Sequence, residues 1–246
     1  MLHNILKCVQ QANVRPDLVV AAPLAAGEAV RESYGDARSL AVCDIGEETT
    51  KLATYVSGAI WLSSVLPVGS ARFTQAIATR LRLPLPVAEE LKIWHGHCDP
   101  QSIDGSELLE MPEVAGVTAL LPRSEVAAAL AEEAERCAAD LRRWLDEVRR
   151  SAVEPEALLL AGGGALLPGL DTLLMQALDL PVQRGIPVGI QGLPALLEGP
   201  AYATVAGLVL WYARYAADEN LAVGARRRAL PKMMQGLRSL MRVMMP

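Results

Sequence analysis

Apolar and polar positions alternate along the chain with two periods, and the switches between them mark out the elements. Residues 4–13 carry a helical spacing that ends at Arg15-Pro16, and 18–22 (LVVAA) reads as a strand. A small-residue helix is expected over 23–33, stopped at Gly35. A hairpin follows, with strands over 40–45 and 50–55, then a third strand over 59–68. Phe73, Ile77 and Leu81 recur at i, i+4 and i+8, which predicts a helix over 71–81, and Leu83-Pro-Leu-Pro86 breaks it before a second helix over 87–95. Residues 96–123 are punctuated by Pro100, Gly105, Pro112, Gly116 and Pro122 and should hold only short strands. From Ser124 the apolar series Val126, Leu130, Ala134, Cys137, Leu141, Leu145 and Val148 specifies one long amphipathic helix with a charged opposite face. The run 157–161 is a buried strand, three glycines follow it, and a helix-like segment is expected to open at Ala165. Helices over 170–178 and 202–216 and a loop over 185–192 complete the body.

Two turns carry the candidate chemistry. Gly162, Gly163 and Gly164 sit between a strand and a helical segment, where missing Cβ atoms let backbone approach a ligand closely and a helix N-terminus favours phosphate. A tight connection with no ligand explains the same glycines equally well. The dinucleotide fingerprint lacks its third glycine, and no Gly-Lys-Ser/Thr follows to make a phosphate-binding P-loop. The second turn, Asp44-Ile-Gly46-Glu-Glu-Thr49-Thr50, lies upstream between two strands. His95, His97 and Cys98 offer soft ligands in four residues, but no fourth ligand stands at zinc spacing, so no metal site is expected.

Composition alters the picture at one end of the chain. The 246 residues are 52% hydrophobic, enough for a full core, and carry a net charge of −5. Six basic residues (Arg226, Arg227, Arg228, Lys232, Arg238, Arg242) follow Ala225 with no acidic one among them. An acidic body with a basic tail points to an anionic surface touched by the tail. No nucleic acid is expected as a partner, because the tail has no aromatics. Within it Met233, Leu237, Leu240, Met241 and Met244 fall on one helical stripe and Gln235, Arg238, Ser239 and Arg242 opposite, the outline of an interfacial helix. Partial insertion of five such side chains yields on the order of 5–8 kcal/mol, and ordering the segment costs a comparable amount, so one copy should bind lipid weakly. A final helix packed on the body has the same pattern. Four dispersed cysteines and no signal peptide fit a reducing cytoplasm.

Taken together, Asp44-Ile-Gly46-x-x-Thr49-Thr50, Leu66-Pro-Val-Gly69, the 83–92 segment, Gly162-Gly-Gly-Ala-Leu-Leu-Pro-Gly-Leu170, Gly185-Ile-Pro-x-Gly-x-x-Gly192 and Pro200-Ala-Tyr-Ala-Thr204 resemble the bacterial actin-like division protein FtsA over residues 4–215. The resemblance implies an α/β, actin/Hsp70-like (ribonuclease H-like) fold, mainly its second lobe. It also implies a division of the chain. Residues 1–35 would be a remnant of the first lobe, 36–82 and 153–200 the core of the second, and 83–152 a smaller inserted subdomain. Residues 201–217 would be a closing helix, 218–230 a basic linker and 231–246 an amphipathic membrane-binding helix.

By the same resemblance Asp44, Gly46, Thr49 and Thr50 would form a phosphate loop. Glu89 and Lys92 would touch ribose and base, and Gly162, Gly163 and Gly164 would hold the adenosine side of ATP with Mg²⁺. Met233, Leu237, Arg238, Leu240, Met241, Arg242 and Met244 would meet anionic lipid of the inner membrane. The implied partner is the FtsZ polymer, docked on 83–152, and the implied role is an adaptor rather than an enzyme. A weak ATPase and the related pilus-assembly adaptor are the alternatives.

The sequence departs from the family at the turn. Glu47 and Glu48 stand where it has glycines, and Lys51 where an acidic residue is usual. Each like-charge pair at about 4 Å costs about 4 kcal/mol at an effective dielectric near 20, so polyphosphate binding should be weak or lost. An Mg²⁺ ion bridging Glu47 to phosphate would reverse the sign. The chain also opens where the family enters the strand before this loop. The other phosphate hairpin, and ATP turnover with it, are therefore expected to be absent, and the strand over 18–22 would lie at an exposed edge covered by a partner or another copy.

Overall fold

The computed structural model describes residues 2–16, 18–110, 120–192 and 199–222, with side chains as far as 214 in the last stretch. The membrane-binding candidates Met233, Leu237, Arg238, Leu240, Met241, Arg242 and Met244 lie outside the described residues. The described residues up to Leu210 form one compact unit.

The centre is a five-stranded sheet in the order β3-β2-β1-β6-β7. β1 (Ser39–Ile45) pairs antiparallel with β2 (Thr50–Val56), which pairs with β3 (Ala59–Leu66), while β1 runs parallel to β6 (Ala157–Ala161) and β6 to β7 (Val182–Arg184). β1 and β6 are buried along their whole length because they lie in the middle and are covered on both faces. The two-residue period sorts their side chains: Ala41, Cys43, Ile45, Leu158 and Leu160 enter one core, and Leu40, Val42, Ala157, Leu159 and Ala161 the other.

The larger core is built by α3 (Ala71–Leu81), α4 (Leu85–His95), α5 (Arg123–Arg150) and α6 (Leu170–Leu178). The α5 series behaves as its spacing demands: Val126, Leu130, Ala134, Leu141, Leu145 and Val148 are buried, with Cys137 packed against the core edge. The smaller core lies under α2 (Ala22–Val30) and the first residues of α7 (Ala203–Ala222). α1 (Leu2–Gln11) buries none of its residues. A two-stranded ribbon, β4 (Leu108–Glu110) and β5 (Leu120–Pro122), precedes α5. Among the described residues no helix is long and apolar enough to cross a membrane.

Two expectations are corrected, and one strand is found that the sequence did not announce. Residues 18–21 are irregular rather than a strand, and Ala22 already belongs to α2; the apolar run has strand propensity but pairs with no strand of the sheet, and a strand exists only through its ladder. No helix opens at Ala165: the glycines lead into a single 3₁₀ turn, Gly163–Leu166, and α6 starts only at Leu170 after Pro168-Gly169. β7 forms from three residues that carry no strand pattern of their own and takes its geometry from β6.

Candidate functional site

The parallel pairing of β1 and β6 sets Asp44 opposite Ala161, so the Asp44 turn and the glycine turn leave the sheet side by side at the carboxyl ends of adjacent strands. That edge is where open α/β sheets place ligands. The contact between the turns is close. Gly162 has φ +82°, and a Cβ there would lie 2.4 Å from the Ile45 carbonyl oxygen and 2.5 Å from Asp44 Oδ1; a Cβ on Gly164 would lie 2.4 Å from Ile45 Cγ2. These two glycines are therefore required by packing of turn on turn. Gly163 has nothing within 4 Å of its Cβ position.

Within the hairpin, the Gly46 N–H donates to the Thr49 carbonyl at 3.0 Å and closes the turn. Glu47 and Glu48 are exposed, Thr49 half-buried and Thr50 buried, its hydroxyl donating to the Val68 carbonyl at 2.8 Å. The start of α3 docks on this turn: the Ser70 N–H donates to Gly46 O at 2.8 Å and the Ala71 N–H to Glu47 O at 2.9 Å. Gly69 permits the approach, since its Cβ would stand 2.4 Å from Glu47 O. Two of the donors at the α3 N-terminus, which would otherwise suit an anion, are thus spent on the hairpin.

Asp44 is buried and doubly partnered. Its Oδ2 accepts from Thr204 Oγ1 at 3.1 Å and lies 3.6 Å from Lys51 Nζ, the residue directly across the hairpin. Mg²⁺ demands a near-octahedral oxygen shell. Here the carboxylate is already paired with an ammonium and packed on Gly162, so a divalent ion at Asp44 would have to displace Lys51.

On the far side of the glycine turn a cavity of about 350 Å³ opens between α3, α4 and the 3₁₀ turn, lined by Ser70, Phe73, Glu89, Lys92, Ile93, Gly163, Gly164, Leu166, Leu167 and Pro168. Glu89, Lys92, Gly163 and Gly164 therefore come together, while Gly162 and Asp44 lie beside them and Thr50 faces the core. An apolar wall with a few polar groups is the usual make-up of a small-molecule site. Lys92 Nζ donates to Glu89 Oε2 at 2.7 Å, Thr74 Oγ1 at 2.9 Å and Ser70 O at 3.4 Å, so its three donors are engaged within the protein. Thr74 Oγ1 also donates to Glu89 Oε2. Partial burial works to raise the Glu89 carboxyl, but the hydrogen bonds from Lys92 and Thr74 and the Lys92 charge outweigh it and the net shift is downward. Ser70 joins the halves of the site, with its N–H on Gly46 and its carbonyl under Lys92.

Sequence reading did not find Ser70 or Thr74, and it named Thr204 only as the end of a motif, without its contact to Asp44. The Asp44–Lys51 pair had a signal: counting outward from a turn closed between Gly46 and Thr49 sets them opposite each other. His97 accepts from the Asp99 N–H at Nδ1, and Cys98 is buried.

This arrangement, a sheet covered by helices with a hairpin turn and a glycine turn meeting at its carboxyl edge, is that of the actin-like fold. The ADP-bound MreB5 of Spiroplasma citri shares it at TM-score 0.69 and 18% identity, over 89% of this chain and 67% of that one. A chain of the PilM–PilN type IV pilus biogenesis complex shares it at TM-score 0.66 and 25% identity, over 85% and 57%. Sequence narrows the class. The family model "Cell division protein FtsA" matches residues 41–207, more than half of the chain, and the chain belongs to that family. It is 33% identical over 216 residues to FtsA of Neisseria meningitidis serogroup B (85% of this chain, 51% of that protein) and 32% identical over 223 residues to FtsA of Escherichia coli K12 (85% and 52%). The chain spans about half the length of the curated relatives it matches.

Proposed function

We propose that the chain is a cell-division adaptor of the FtsA type that ties the FtsZ polymer to the cytoplasmic face of the cell membrane at the division site. The family match over residues 41–207 carries this reading. The membrane contact falls to residues 231–246, where Met233, Leu237, Leu240, Met241 and Met244 supply the apolar stripe and Arg238 and Arg242 the cationic one. Such a helix holds weakly alone, and many copies on one polymer, or self-associated, hold firmly. The same reading treats 83–152 as an inserted subdomain and the FtsZ-docking region, between the halves of a core over 36–82 and 153–200.

Nucleotide binding by this chain is a weak accessory to that role and turnover plays no part. The Glu89–Lys92 cavity and the glycine turn would take the adenosine, and solved relatives of the fold are described as bound to ADP and AMPPNP. The exposed Glu47 and Glu48 oppose the phosphates, and the donors of Ser70 and Ala71 are already engaged. The pilus complex gives the alternative adaptor reading its support, at 25% identity against the higher identities to FtsA.

Liposome flotation with the full chain and preformed FtsZ polymer tests the proposal. Anionic vesicles should float chain and polymer together, and Leu237→Asp with Leu240→Asp should leave both at the bottom. Flotation unchanged by those substitutions defeats the tethering role.

A further inference from the structure

We infer that Lys51 stands in for a divalent cation at Asp44, so that a nucleotide polyphosphate held by this chain is bound as the metal-free anion with the Lys51 ammonium as its counter-charge. The inference rests on the nucleotide reading above and specifies how that site handles charge.

The Asp44 side chain is 7% exposed, and a carboxylate that buried needs a compensating charge or hydrogen bonds. It has both inside the protein. Thr204 donates to Oδ2, Lys51 Nζ faces the same oxygen at 3.6 Å, and Oδ1 is packed over Gly162. Six-fold coordination at roughly 2.1 Å would need that volume cleared and the ammonium expelled. Lys51 is held in place by the fold, because antiparallel register sets it across from Asp44.

Its ammonium is also aimed usefully. It lies 3.4 Å from the position a Cβ would take on Gly46, over the mouth of the turn, and the side chain is 28% exposed. An ammonium has three donors, and one carboxylate partner leaves others free to turn toward an incoming oxyanion. A metal carried in on the phosphates would meet a like charge there, and repulsion between cations in a partly dehydrated site is strong. Glu47 and Glu48 pull the other way, toward a cation, and repel the phosphates as well; both are exposed, so water and salt weaken the two effects alike and leave the buried Asp44–Lys51 pair as the less screened one.

The test is a pair of titrations on the full chain. A fluorescent ATP analogue is titrated in Mg²⁺ and in EDTA, and Mn²⁺ alone is followed by loss of the free-ion EPR signal. For the wild-type chain the expected Kd in EDTA is equal to or lower than in Mg²⁺, and Mn²⁺ stays free. Lys51→Gln should weaken binding in EDTA by about tenfold and restore a dependence on Mg²⁺. Lys51→Arg should behave as wild type, which guards against a fold defect, and Lys51→Glu, which sets two carboxylates together, should capture Mn²⁺. Binding about tenfold tighter in Mg²⁺ for the wild type overturns the inference, as does Mn²⁺ bound by the wild type and released by Asp44→Asn. Absence of nucleotide binding in both buffers defeats the nucleotide reading, and the Mn²⁺ series then decides whether Lys51 excludes the cation.

Discussion

Arg72 on α3 reaches across to α5 and places its Nε 2.7 Å from Glu133 Oε1, a carboxylate only 5% exposed. Its Nη1 spans to Asp140 at 2.8 Å, and Arg136 adds a second contact to Glu133 at 3.2 Å. The helix that supplies Phe73 to the candidate cavity is thus joined to the long α5 through a buried charge. Removing one member of such a group leaves the other uncompensated, which costs more than the pair contributes. Arg72→Met should lower unfolding stability by about 2–3 kcal/mol, with Arg136 limiting the loss. The double variant Arg72→Met/Glu133→Met should recover most of it in urea titrations. Equal and additive losses would mean that Glu133 is solvated when Arg72 leaves.

The Glu89 carboxyl is held below its usual range, and this sets the direction of its pH dependence. A carboxylate with a depressed folded-state pKa adds stability above its unfolded value, near 4.3, and loses it as pH falls through the folded value. Glu89→Gln should therefore differ from wild type in urea midpoint at pH 7, and the difference should close in acid below about pH 4. The side chain is 44% exposed, so the effect is small. A difference that persists or grows in acid would assign the contacts of Lys92 and Thr74 to packing rather than charge.

Much of this fold was legible in the sequence because local pattern and tertiary role agree. β6 read as a buried strand and β1 as a strand of a hairpin, both are covered on both faces, and the α3 and α5 spacings face the core they predict. Where the two diverge the reading failed: 18–21 has strand chemistry without a partner, and β7 has a partner without strand chemistry. The site was legible as residues and not as contacts. Asp44 meets Gly162 only through parallel register, and Thr204 reaches Asp44 across 160 positions, neither of which leaves a mark in local periodicity.

The four cysteines separate by environment, and a thiol count reads the core directly. Cys8 is exposed on α1, Cys43 and Cys98 are buried and Cys137 is half-buried. Burial pushes the Cys98 and Cys137 thiols up to about 12, and raises Cys43 well above its ordinary value. The thiolate is the reactive form, so at pH 8 one thiol per chain should react promptly with a disulfide reagent and the other three only after unfolding in guanidinium chloride. Two fast equivalents would place Cys137 in an opening edge of the larger core.

The crossing of α7 over α2 gives the sharpest prediction. A Cβ on Gly207 would lie 1.7 Å from the Ala25 carbonyl oxygen and 2.3 Å from its carbon, both backbone atoms that cannot swing aside. Ala25, Ala26 and Ala29 are buried under this contact, together with Ala203 and Ala206 from α7, so the helices approach as closely as small residues allow. In an open helix Gly→Ala gains about 1 kcal/mol from propensity. Here the helices must be pushed apart, and overpacking of that kind costs about 1–3 kcal/mol or more. The steric term should win: Gly207→Ala is expected to lower the urea midpoint. Gly163→Ala, with nothing within 4 Å of the added atom, is expected to leave that midpoint where it was. If Gly207→Ala is neutral or stabilising, α2 and α7 do not touch backbone to backbone, and the smaller core that lies under them is looser than the packing of Ala203 and Ala206 requires.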